Sequence, residues 1–227
     1  MTFSLAGRCE RTGMVGGIVC SSSIAVSARC LWGSPAGIVL SQNVTDPYLG
    51  MLGLQLLAEG CGARNVLERI VAAKPHAEWR QLAVLDNDGP SGVYTGSRGL
   101  GITGAAMGRD CVAAGNLLAD KSVPHSMVRA YEAAAEHTLA ERLLLAVGSG
   151  AAAGGEAGPV HSAGLKLYRR PTAWPIADLR IDWSDTPIVD LRALWERYAP
   201  QLNDYVLRAE QPDRAPSYGV PGDLQAR

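Results

Sequence analysis

The sequence predicts an α+β protein built as a four-layer αββα sandwich, two antiparallel sheets stacked face to face with helices outside. Three observations predict it. Helical patterns come in pairs between strands rather than singly, which speaks against a doubly wound nucleotide fold. Turn signals at Arg11–Gly13 and Asn87–Gly89 join neighbouring strand patterns as hairpins. Phe3 is the only phenylalanine beside 26 glycines, so small and branched aliphatic residues build a core in which layers approach closely.

The elements follow in order. TFSLAGRCE, from Thr2, alternates apolar and polar residues and reads as a strand. After the Arg11-Thr12-Gly13 turn, MVGGIVCSSSIAV (14–26) is a second strand. A loop is expected around Trp32-Gly33-Ser34-Pro35, then a third strand, AGIVLSQNV, ending in Gln42 and Asn43. DPYLGMLGLQLLAEG changes period: Asp46 is the expected N-cap, Pro47 opens the helix, and Gly60 stops it. NVLERIVAAK is a second helix on the same side. RQLAVLDNDG and SGVYTGSRG are strands, and GITGAAMGRDCVAAGNLLA is expected as irregular strand and loop. SMVRAYEAAAEHTLAERLLLAVGSG reads as helix, and AAAGGEAGP as a flexible connection. HSAGLKLYRR and ADLRIDWSD are strands, and TPIVDLRALWERYAPQLNDYVLRAE is the last helix, capped by Thr186 or Asp185. One domain over 1–210 and a polar tail over 211–227 are expected.

Composition excludes several functions. With 47% hydrophobic and 19% charged residues, the 227-residue chain can form a sizeable core. A net charge of −1 argues against a nucleic-acid surface or a membrane-adhering patch. No apolar run reaches the roughly 20 residues of a membrane span. Arg8, Glu10 and Arg11 interrupt any signal peptide, so the expected location is cytoplasmic. Five scattered cysteines without a CxxC pair fit reduced thiols, and the four histidines lie away from them, so no metal is expected. No phosphate-binding loop, HExxH or GxSxG occurs. Gly99, Gly101 and Gly104 spell GxGxxG, but no βαβ pattern surrounds them, and no organic cofactor is expected.

What remains is the start of the chain. A small residue behind Met1 permits removal of the methionine, which leaves Thr2 as a free N-terminal threonine. Such a residue joins a hydroxyl nucleophile to an α-amine with a pKa of about 7.7–8.0, the threonine form of nucleophile-plus-base catalysis. The plainer reading, that small second residues are common, stands beside it.

MTFSLAGRCERTGMVGGIVCSSSIAV resembles the opening of a bacterial and archaeal family catalogued as domain of unknown function 1028. The resemblance continues in Trp32, in SQNVTDPYLG, in Arg80-Gln81, in AAGNLLA with Gly115 and Asn116, in Gly154-Gly155, in His161-Ser162-Ala163 and in DLRID (178–182). It implies a fold like that of the N-terminal-nucleophile hydrolases, four-layer enzymes that cleave amide bonds. The expectation that follows is a small-molecule amidohydrolase with Thr2 as nucleophile, acting on a linear or cyclic amide, with a small-molecule substrate as partner and a homo-oligomeric assembly. The alternative is a non-catalytic ligand-binding or assembly protein on the same scaffold. A third reading uses Ser22 or Cys20 as nucleophile.

An oxyanion in such an enzyme needs donors. Asn116, beside Gly115, is the first candidate, and Gln42 and Asn43 at the end of the third strand follow, although such amides also close turns and cap helices. Within CSSS, Ser22 is the candidate to bond the terminal amine or hydroxyl, unless the serines merely end a strand. In GGEAGPVHSA the family's acidic residue survives as Glu156, its arginine is gone, and His161 replaces a glutamine. His161 is a candidate acid or base, or a packed surface ring. With Gln42, Asn43, Gly115 and Glu156 it makes up the expected substrate-binding set.

Overall fold

The computed structural model describes residues 2–222. β1 (Thr2–Cys9) and β2 (Met14–Ser21) form the expected hairpin, with Phe3 opposite Cys20 and Cys9 opposite Met14. β1 also pairs with β8 (Cys111–Leu118). With β7 (Ile102–Gly108), β9 (Ser162–Tyr168) and β10 (Ala177–Ile181), these strands make a six-stranded sheet of order β10-β9-β2-β1-β8-β7. A four-stranded sheet holds β3 (Leu31–Ser34), β4 (Gly37–Asn43), β5 (Arg80–Asp86) and β6 (Ser91–Thr95) in sequence order. Every pairing is antiparallel.

Alternation along the strands sorts the core into three layers. Between the sheets lie Ala6, Val15, Val19, Leu40, Ala83 and Leu85. The outer face of the small sheet, with Val39, Leu82 and Val84, packs on α2 (Pro47–Ala58) and α3 (Ala63–Ala72). The outer face of the large sheet, with Phe3, Leu5 and Ile18, packs on α4 (Val123–Ala133) and α5 (Leu139–Ala152). The predicted αββα order is therefore the observed one. The small β1 residues serve these layers directly: a Cβ on Gly7 would meet the Tyr131 ring at 2.6 Å.

Several boundaries differ from the sequence reading, each for a local reason. The second strand ends at Ser21, because the chain turns at Ala25 (φ 52) into a short helix, α1 (Val26–Cys30). Trp32, Gly33 and Ser34 lie in β3 rather than a loop. The segment expected to be irregular is the β7–β8 hairpin, closed at Asp110 with φ 59 and carrying a register shift between Ile102 and Gly104. The long predicted helix is two helices. Thr138 caps the second with a complete capping box, its hydroxyl accepting from Glu141 N while the Glu141 carboxylate accepts from Thr138 N. The last helix also divides, into α6 (Pro187–Tyr198) and α7 (Leu202–Glu210), around Pro200. Asp46 caps α2 as expected, accepting from Tyr48 N at 3.0 Å. Thr186 sits at the N-cap of α6 without a side-chain cap bond. The tail folds back as far as Tyr218, whose ring lies 3.9 Å from the Arg208 guanidinium, and residues 223–227 lie outside the described residues. Among the described residues, no helix is long and apolar enough to cross a membrane.

Candidate functional site

The even-numbered residues of β1 point between the sheets, and two of them at its start are polar: Thr2 and Ser4. Thr2 lies opposite Asn116 on β8. The β1–β2 register places Ser21 on its other side, and Ser21 lies opposite Ser162 on β9. Asn116, Thr2, Ser21 and Ser162 thus form one polar row across four strands, and none is more than 3% exposed. Met1 lies outside the described residues.

One layer deeper, side-chain amides from the small sheet meet this row. Ser4 Oγ donates to Gln42 Oε1 at 2.6 Å, and Gln42 Nε2 donates to Gln81 Oε1 at 2.8 Å. Asn116 Nδ2 donates to the same Gln81 oxygen at 3.1 Å. Gln81 Nε2 in turn bonds the carbonyls of Gly115 (3.0 Å) and Gly104 (3.3 Å) and the Thr95 hydroxyl (3.1 Å). The two carbonyls accept only, so they fix which end of the Gln81 amide is nitrogen, and the chain of donors then orients Gln42 and Asn116. That orientation leaves Asn116 Oδ1 buried with no hydrogen-bond partner among the described residues. An unpaired buried acceptor costs about 1–3 kcal/mol, and this one belongs to the cross-strand neighbour of Thr2.

Glu156 closes the end of the row. Its backbone bridges Leu118, the last residue of β8, and both carboxylate oxygens accept from Ser22 N at 3.1 and 3.2 Å, just past β2. Because β1 runs between β2 and β8, Glu156 spans the start of β1. Burial raises the Glu156 carboxyl above its ordinary value, and its bonds from Ser22 offset part of that rise. The stretch expected to be flexible therefore carries an anchored residue, reached through Gly154 (φ 112) and Gly155 (φ 56).

The other expected residues have these places. Ser22 is half-buried and meets Glu156, while alternation gives the inward position to Ser21, whose hydroxyl lies 2.9 Å from that of Ser23. Gly115 offers its carbonyl to Gln81, and a Cβ on it would strike Leu118 at 2.6 Å. Asn43 (φ 74) sits outside the network: its Nδ2 donates to the Trp79 carbonyl at 2.6 Å and its Oδ1 accepts from Leu100 N at 3.2 Å, which ties the end of β4 to the segments that lead into β5 and β7. His161 turns away onto the loop after β10, stacked 4.4 Å from Trp183, with Nδ1 3.1 Å from the Ser184 carbonyl and 3.5 Å from Asp185. Its backbone stays close, donating to the Ser21 carbonyl. Cys20 is fully buried in the layer between sheet and helices, and burial holds its thiol well above the ordinary value. It faces away from the row, which removes it as a nucleophile.

Gln81 is the residue that sequence reasoning missed. It was legible as a polar residue on the face that Ala83 and Leu85 present to the other sheet. Thr2 lines none of the four cavities described, which measure about 290 to 480 Å³. Among the described residues, no group of three or more metal-ligating side chains comes together.

Residues 2–191 match the family of unknown function DUF1028, and the chain belongs to that family. The crystal structure of protein SPO2555 from Silicibacter pomeroyi, a protein of the same family, is similar over 87% of this chain and 89% of its own, with 30% identity and a TM-score of 0.80. Anbu from Hyphomicrobium sp. strain MC1 aligns with 11% identity and a TM-score of 0.36, over 96% of this chain and 100% of its own, too distant to carry an argument. A comparison with curated proteins gave no match.

Proposed function

We propose that the chain is a small-molecule amidohydrolase in which Thr2, freed by removal of Met1, is the N-terminal nucleophile. The observation that carries this reading is the position of Thr2: first residue of a central strand, 3% exposed, beside an asparagine whose carbonyl oxygen lacks a donor. A free α-amine on Thr2 is a donor of the kind Asn116 Oδ1 lacks.

The reaction then runs as follows. Thr2 Oγ1 attacks the carbonyl carbon of a linear or cyclic amide while the α-amine takes the hydroxyl proton. Asn116 Oδ1 orients that amine. Backbone N–H groups, with the Asn116 Nδ2 hydrogen that Gln81 leaves over, stabilise the oxyanion. The amine returns the proton to the leaving nitrogen, and water attacks the acyl ester to restore Thr2. Glu156 spans the start of the strand as a carboxylate acceptor for the protonated amine. Gln42 and Gln81 act as positioning residues that hold Asn116. Gly115 holds Gln81 through its carbonyl, while Asn43 and His161 lie outside this network and have no step in the reaction.

The second reading is ligand binding or assembly without catalysis. The near-complete burial of Thr2 favours it, because a substrate needs an opening. Intact mass and an amide-substrate screen separate the two. The enzyme reading expects loss of Met1 and, in Thr2→Ala, a fall in turnover of about 10³-fold or more with unfolding unchanged. Retention of Met1 in active protein, or full turnover by Thr2→Ala, sinks it.

A further inference from the structure

At the opposite end of β1, a cavity of about 480 Å³ is lined by Cys9 and by charged side chains from the hairpin turns and the α4–α5 corner. Its charges pair off almost completely. Arg109 bonds Glu10 at 2.8 Å, Arg8 takes Asp110 at 2.8 Å, and Arg11 reaches Glu136 at 3.7 Å. Two charges are left over. Arg142 is 8% exposed, yet its guanidinium uses only Nε, donated to the Tyr131 carbonyl at 3.2 Å, with Cζ 3.8 Å over the Tyr131 ring. Its Nη1 and Nη2 have no hydrogen-bond or ion-pair partner among the described residues. Glu132, exposed at the cavity's mouth, accepts one bond, from Arg109 N at 2.8 Å, and joins no ion pair among the described residues.

A buried charge without a counter-ion is costly, and a ring face replaces a carboxylate only in part. A guanidinium with its fork open to a cavity suits a carboxylate, which it binds through two parallel bonds. A free carboxylate on the same wall suits an ammonium. We propose that this cavity binds a free α-amino acid as its zwitterion, the carboxylate on Arg142 and the ammonium on Glu132. The volume falls in the range of small-molecule sites, roughly 300–1,000 Å³. A second cavity of about 290 Å³ shares Cys9 and Arg11 with the first and is walled by Met14, Leu139, Ile176 and Trp195. It accepts an apolar side chain. The proposal is independent of any chemistry at Thr2.

Titration calorimetry on the full chain tests it with three probes: L-leucine, 4-methylpentanoate (no amine) and 3-methylbutylamine (no carboxylate). L-leucine binds, and each analogue binds about tenfold more weakly or worse, since a hydrogen bond to a charged group is worth about 1.5–3 kcal/mol. Glu132→Gln weakens L-leucine about two- to fivefold and leaves 4-methylpentanoate unchanged. Arg142→Gln abolishes both, and if that variant fails to fold, the Glu132→Gln pattern still decides. No heat with L-leucine at about 10 mM overturns the proposal. So does equal affinity for L-leucine and 4-methylpentanoate, or an unchanged L-leucine affinity in Glu132→Gln.

Discussion

At Thr2, β1 begins in a sealed row of neutral hydroxyls and amides closed by one buried carboxyl, Glu156; at Cys9, the same strand runs into a cavity lined by seven charged side chains. The first end meets almost every polar need internally, through Ser4, Gln42, Gln81 and Asn116. The second leaves its charges within reach of water. The difference follows from dielectric. Neutral groups can be sealed if each finds a partner, whereas charges are cheap only where solvent screens them. A vacancy therefore means different things at the two ends. In the neutral row one unpaired oxygen on Asn116 is conspicuous, while in the charged cavity only a residue as buried as Arg142 makes a missing partner informative.

Three changes probe this contrast, beyond the two tests already given. The largest effect is expected from Gln81→Leu. It strands the donors of Gln42 and Asn116 and the carbonyls of Gly104 and Gly115, so urea unfolding is expected to show a loss of about 3 kcal/mol. A loss under about 1 kcal/mol would mean that the neutral end is wetter than its burial implies.

Glu156→Gln comes next, and its signature is in the pH dependence. The folded carboxyl is raised above its ordinary 4.5 by burial, so the folded chain holds this proton more tightly than the unfolded one. Stability contributed by this group therefore falls as pH rises from the unfolded value through the raised folded value, and stays lost above it. Glu156→Gln is expected to flatten that slope in unfolding curves measured across mildly acidic pH. An unchanged slope would assign the titration to another group.

The smallest effect belongs to Arg11→Ala. Its pair with Glu136 is 60% and 94% exposed, so thermal unfolding is expected to register less than about 0.5 kcal/mol. A larger loss would show that the charged end is more tightly built than it looks.

How legible this was in the sequence varied with the range of the interaction. Strand alternation in TFSLAGRC and the Asp46-Pro47 start of α2 are local signals, and both gave the correct element. The five-residue α1 is too short for a period, and nothing about Ala25 announces a left-handed turn. Thr138-x-x-Glu141 and Pro200 were readable breaks inside stretches whose helical pattern ran straight through them. At the site, Thr2, Asn116, Gln42 and Glu156 were named from the chain itself or its family resemblance, and the structure brings them to one end of the sheets. Their partners were harder. Choosing Ser21 over Ser22 required the strand to stop where it does, and Gln81 required knowing which faces of β4 and β5 oppose the large sheet. Those facts arise from contacts between residues far apart in the chain.

The length of β1 carries one last consequence. Its eight residues span roughly 24 Å at about 3.4 Å per residue. At that separation two unit charges interact by about 0.7 kcal/mol at an effective dielectric of 20, before salt with a screening length of about 8 Å reduces it further. The arginines around Cys9 are therefore electrically remote from Thr2. On the proposed reading of Thr2 as an N-terminal nucleophile, the basicity of its amine is a local matter for Glu156 and the amide dipoles around it, so filling the far cavity with ligand would leave a pH–rate profile where it was.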